Sequence, residues 1–168
     1  MTTISRVDVW LTVLLTVAVS AGAAAAQVAV DRVLQRVGTH VVTELDVRRA
    51  RLLKLIATEP VTDADIQREL ENHWLIASEV SRFNPAAPDA EAVANERSQW
   101  EARLGPGADI PALLTRAGTT EAELETWFQD EARIRRHLDR LFGRVPPADR
   151  PAAIAAWIRG LRDRAGLR

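Results

Sequence analysis

Residues Val30 to Val47, VDRVLQRVGTHVVTELDV, read as two short strands joined by a tight turn and running straight into a helix. Two strands alone are only marginally stable in water, so this hairpin must lie on something else and cannot itself be the core. Nearly everything after it shows helical periodicity. The expected fold class is therefore mainly α, an N-terminal β-hairpin plus about six helices. Within the hairpin, Val33 and Val37 alternate with polar residues, Val41 and Val42 resume after Gly-Thr-His, and Gly38 supplies backbone freedom at the turn. A three-residue loop, Gly38 to His40, sets Val37 opposite Val41; a two-residue loop sets Val37 opposite His40 instead. Matching apolar neighbours favours the first.

Cap chemistry marks the helices. Thr43 with Asp46 starts a helix expected over Glu44 to Ala57, with Leu45, Leu52, Leu53 and Ile56 on its apolar face and Pro60 closing it. Thr62 caps the next, where Ile66, Leu70, Trp74, Ala77 and Val80 recur at helical steps until Pro85 and Pro88. A helix from Asp89 to Leu104 carries Val93, Trp100 and Leu104. Asp109 and Pro111 open a short one that stops at Gly118. Thr120 and Glu123 form a capping box for a long helix with the stripe Leu124, Trp127, Phe128, Ile134, Leu138, Leu141 and Phe142, and Gly143 is its expected terminator. The last helix carries Ile154, Trp157, Ile158 and Leu161 and stops at Gly166.

The N-terminus orders a basic Arg6, an apolar Val9 to Val19 and a small-residue end with Ala24-Ala25-Ala26 before Gln27, the layout of an export signal. Residues 1–26 are thus expected to be a signal peptide, 27–168 the mature domain, and the destination periplasmic. The alternative is an inner-membrane anchor through residues 9–26. Cysteine is absent, so thiol chemistry and disulfides are excluded and packing alone must hold the chain. Charge is uneven along the sequence: residues 31–58 carry 6 basic and 3 acidic side chains, 59–131 carry 5 and 16, and 132–168 carry 10 and 3. Basic ends folding back on an acidic middle explain this better than a nucleic-acid tail, because export removes the nucleic acid.

No constellation for catalysis is legible. Glu69 and His73 lie one helical turn apart, but two ligands from one turn do not make a metal site. His137 sits among Arg133, Arg135, Arg136, Arg140 and Arg144, a cluster without the interleaved aromatics of a single-strand binder. Ser78, Ser81 and Ser98 fall inside helices with no nucleophile elbow, and Gly-Pro-Gly-Ala-Asp at 105–109 has a proline where a phosphate cradle needs free donors. No cofactor and no metal are expected.

The segment VDRVLQRVGTHVVTELDVRRA resembles the start of the SurA N-terminal chaperone domain on Val30, Asp31, Val33, Val37, Val41, Val42, Thr43 and Asp46. The order of the later helices is similar as well: DIQRELENHWLIASEVSRF, then LLTRAGTTEAELETWFQDEARIRRHLDRLF, then AAWIRGLRDRAGL for the helix that returns to the domain over 150–166. The turn Gly38-Thr39-His40 and the polar Gln35 and Arg36 depart from the family pattern. The resemblance implies a fold like SurA's N-terminal domain or the trigger-factor peptide-binding domain. It also implies an ATP-independent periplasmic chaperone that binds unfolded or extended polypeptides during outer-membrane protein biogenesis. The alternative is an assembly subunit for one folded envelope protein. The family's parvulin-type prolyl isomerase domain would fall where only Gly143 to Pro151 stand, so no enzyme is expected. Expected partners are unfolded or partly folded proteins, with no nucleic acid and no stable membrane insertion once the signal is cut. Phe83, Trp100 and Leu104 are the candidate groove residues, and Val33, Val37, Gly38 and Val41 the structural hairpin. A groove of this kind should leave at least one of Trp74, Trp100, Trp127 and Trp157 partly open.

Overall fold

The hairpin forms, but one register step away from the expected pairing. The computed structural model describes residues 31–57, 62–83 and 85–167; the expected signal peptide, 1–26, and Pro60 lie outside them. Strand β1 (Val33–Val37) pairs antiparallel with β2 (His40–Thr43) through a two-residue turn, so Val37 faces His40 and Arg36 faces Val41. Gly38 has φ +60° and Thr39 is not left-handed, the pattern of a turn whose twist suits a hairpin. A slip of one residue exchanges the two faces of a strand. Val42, not Val41, is therefore the wholly buried residue of β2, and the His40 ring stacks on Trp74 at 3.9 Å. What lies beneath the ribbon outweighs apolar matching across it. A bulge at Leu34 moves Val33 to the outer face, where it is 59% exposed, and Leu34 packs on the core in its place.

Six helices follow: α1 (Glu44–Leu52), α2 (Asp63–Ser81), α3 (Ala90–Leu104), α4 (Ile110–Ala117), α5 (Glu121–Phe142) and α6 (Arg150–Ala165). Capping boxes open α1, α2 and α5 at Thr43, Thr62 and Thr120, with Asp46, Asp65 and Glu123 returning to the cap backbone. Asp89 and Asp109 cap α3 and α4 by accepting from Ala92 and Ala112. Gly143 stops α5 in a right-handed conformation. Its lack of a side chain matters for space, since a Cβ there would stand 2.5 Å from the Asp139 carbonyl.

Helix α1 ends five residues short of the expected Ala57. Lys54 is left-handed at φ 48°, and the N–H groups of Lys54 and Leu55 close back on Arg51 and Ala50 as a Schellman turn. The carbonyls freed by this turn are taken by α3. The Trp100 indole N–H donates to Leu53 at 2.6 Å, and the Arg103 guanidinium donates to Lys54 at 3.1 Å.

Two clusters of buried side chains make up the core. Hairpin, α1, α2, the C-terminal half of α5 and α6 bury Val37, Val42, Ile66, Leu70, Ile76, Ile134 and Leu161. Leu53, α3, α4 and the N-terminal half of α5 bury Trp100, Leu114, Leu124 and Phe128. Helix α5 serves both, and Trp127 and Leu55 pack against both. Helix α6 returns to α2 through Arg162, which donates to Glu71 at 2.9 Å and Asn72 at 3.1 Å in a nearly dry setting. The charge asymmetry resolves as expected: Arg51 meets Asp63, Arg135 meets Glu96, Arg136 meets Asp89 and Arg162 meets Glu71, each joining a basic end to the acidic middle.

Candidate functional site

Where the two clusters meet, they do not close over Trp127 and Leu55. A groove of about 290 Å³ lies there, walled by residues 55–57 and by α2, α3, α5 and α6. Its apolar wall is Leu55, Ile56, Ile76, Trp127, Phe128, Ile134 and Ile158. Of these Leu55, Ile56, Trp127 and Ile158 are half-buried, so apolar surface remains in contact with water. A second hollow of about 130 Å³ on the other side of the same two residues is lined by Leu53, Leu70, Trp74 and Leu124, with Asp46, Arg49 and Glu123 at its edge. Burial of such surface is non-directional and tolerates many side-chain sequences, which is what a binder of varied chains needs.

The polar wall of the larger groove is ordered by paired charges. Arg135 donates to both oxygens of Glu96, through Nε and Nη2 on one edge of its guanidinium, and these bonds hold the Arg135 pKa above its ordinary value. Burial pushes Arg103 the other way. His73 is buried; its Nδ1 lies 2.8 Å from Glu131 Oε1, and its ring stacks on Trp127 at 3.9 Å. A carboxylate only accepts, so Nδ1 carries the proton. The other nitrogen, Nε2, is buried with no hydrogen-bond partner among the described residues. A histidine oriented by a carboxylate is half of a nucleophile-activating pair, but no serine, threonine or cysteine stands among the described residues lining the groove. Among the described residues no group of three potential ligands could hold a metal ion, and no helix is long and apolar enough to cross a membrane.

The three groove candidates named from sequence do not come together. Trp100 is wholly buried against Phe128, with ring centroids 5.5 Å apart, and offers no surface; it is a core anchor that caps α1. Leu104 is half-buried at the end of α3, against the same cluster. Phe83 stands 61% exposed beyond α2, its ring 5.6 Å from His137. His137 itself is buried, and that burial, with Arg140 beside it, pushes its pKa down. Of the four tryptophans among the described residues, Trp74, Trp127 and Trp157 are half-buried, and Trp127 is the one on the larger groove. Sequence reasoning placed Trp127 on an apolar stripe, and Ile158 among the apolar residues of the last helix, without naming either as a groove residue; no residue-level signal separates a stripe that is covered from one that is left open. Compared with protein-family models, with curated proteins and with solved structures, the chain shows no match.

Proposed function

We propose that this domain is a chaperone-like module that holds an extended, apolar-rich stretch of another polypeptide in the groove over Trp127, without nucleotide, metal or covalent chemistry. The single observation behind this reading is the half-open apolar wall of Leu55, Ile56, Trp127 and Ile158 at the junction of two otherwise closed cores. The half-exposed Arg135, anchored on the buried Glu96, borders that wall, so a bound chain meets a hydrated polar group at the rim while its apolar side chains leave water. The resemblance to the SurA N-terminal domain supports the same reading and adds the periplasm and unfolded outer-membrane proteins as setting and clients. Suppression of the aggregation of a denatured outer-membrane barrel at stoichiometric protein is the expected result. No suppression with any of several such clients, together with a stable complex with one folded envelope protein, would assign the groove to a dedicated assembly role instead.

A further inference from the structure

Three large apolar side chains among the described residues are exposed, Val33 at 59%, Phe83 at 61% and Leu141 at 46%, and two of them lie close to His137 of α5. Phe83 leans on His137; Leu141 lies one turn further along α5; Trp157 of α6 is 6.0 Å from His137 and 5.9 Å from Phe142. These rings form a chain of contacts from the end of α2 across the end of α5 to the middle of α6, with His137 buried between Phe83 and Trp157. Phe83 and Leu141 line neither of the grooves described above.

The segment that carries His137, Leu141 and Phe142 is rich in arginine. Residues 133–150 hold six arginines against Asp139 and Asp149. Arg133 and Arg136 are paired with Asp130 and Asp89, whereas Arg140, Arg144 and Arg150 have no acidic partner among the described residues. Arg140 touches the patch directly, its guanidinium 3.0 Å from His137 Nδ1.

We propose that this end of the domain docks on an anionic lipid surface, Phe83 and Leu141 entering the headgroup boundary while Arg140 and Arg144 meet phosphates. Phe83 and Leu141 line neither groove, so they offer a polypeptide none of those walls along which to satisfy its backbone donors. A bilayer interface asks for none: it accepts exposed apolar side chains and supplies negative charge beside them. Peripheral adsorption of this kind involves no membrane-spanning helix.

The absence of cysteine makes a site-specific test possible in the full chain. Leu141→Cys carries an environment-sensitive fluorophore, and Ala112→Cys on α4, at the far end of α5, carries the same fluorophore as control. Vesicles of phosphatidylglycerol and of phosphatidylcholine are titrated against each, so that adsorption through the apolar residues 9–26 is separated from docking of the patch. Expected are a blue shift at position 141 with the anionic vesicles only, none at 112, and partitioning about fivefold weaker for each of Arg140→Gln and Arg144→Gln, and weaker again in high salt. Unchanged emission at 141 overturns the proposal. So does an equal shift with both lipids, or an equal shift at both positions. A shift at 141 caused by a reduced, carboxymethylated polypeptide but not by vesicles would hand the patch to a protein partner and overturn it too.

Discussion

The indole N–H of Trp100 donates to the carbonyl of Leu53 at 2.6 Å, across 47 residues of sequence, and this bond joins the end of α1 to the middle of α3. The carbonyl is buried and already outside the α1 helical ladder. Replacing Trp100 with Phe keeps most of the ring packing on Phe128 and leaves that oxygen unsatisfied. The expected cost is about 1–3 kcal/mol of unfolding free energy by denaturant titration. An unchanged stability would show that the cap carries no weight.

Lys54 holds a left-handed conformation that suits glycine better. Lys54→Gly relieves it, at the expense of extra freedom in the unfolded chain and of the bond from Lys54 Nζ to Arg103. A net gain of about 0.5 kcal/mol is expected. A loss would mean that the Lys54–Arg103 contact outweighs the strain.

These two residues also show where sequence stops being informative. The starts of α1, α2 and α5 were legible in their caps, because Thr43 with Asp46, Thr62 with Asp65 and Thr120 with Glu123 act within four residues of chain, whereas α6 begins at Asp149 with no side-chain cap. The end of α1 was not legible, because Lys54 gives no glycine signal and the groups that take the freed carbonyls come from α3. The hairpin register failed for a similar reason: Trp74, which His40 covers, is distant in sequence. Which of the four helix tryptophans would stand open was not legible either, because periodicity reports which face is apolar and not what covers it.

The return of α6 to α2 depends on a pair with little access to water, Arg162 and Glu71, whose side chains are 13% and 7% exposed. Removing one member leaves the other buried without its counter-charge. Arg162→Met is expected to lose about 3 kcal/mol, and Arg162→Met combined with Glu71→Leu to recover most of it. If the double variant is as unstable as the single one, the pair contributes through geometry that an apolar contact cannot replace.

Acid should weaken the fold through its caps. The Thr120 backbone N–H, followed by the Thr119 and Thr120 hydroxyls, holds Glu123 below the usual carboxylate range, and the Thr62 side chain does the same for Asp65. A depressed folded-state pKa contributes stability that is present above the unfolded value and lost as pH falls through the folded one. Tm should therefore decline below the ordinary carboxylate range, and less steeply in Glu123→Gln, which keeps the cap geometry without titrating. Identical acid limbs for the variant and the parent would exclude this cap as a source.

The most direct test of the central claim is photo-crosslinking from the groove. Benzoylphenylalanine replaces Gln99, which lines the groove, or Ala112 on α4, and each protein is irradiated with a denatured outer-membrane barrel. The groove position should crosslink to the unfolded client, with competition by excess unlabelled client, and the α4 position should not. Equal crosslinking from both positions, or none from Gln99, would contradict the assignment of the Trp127 groove as a seat for polypeptide.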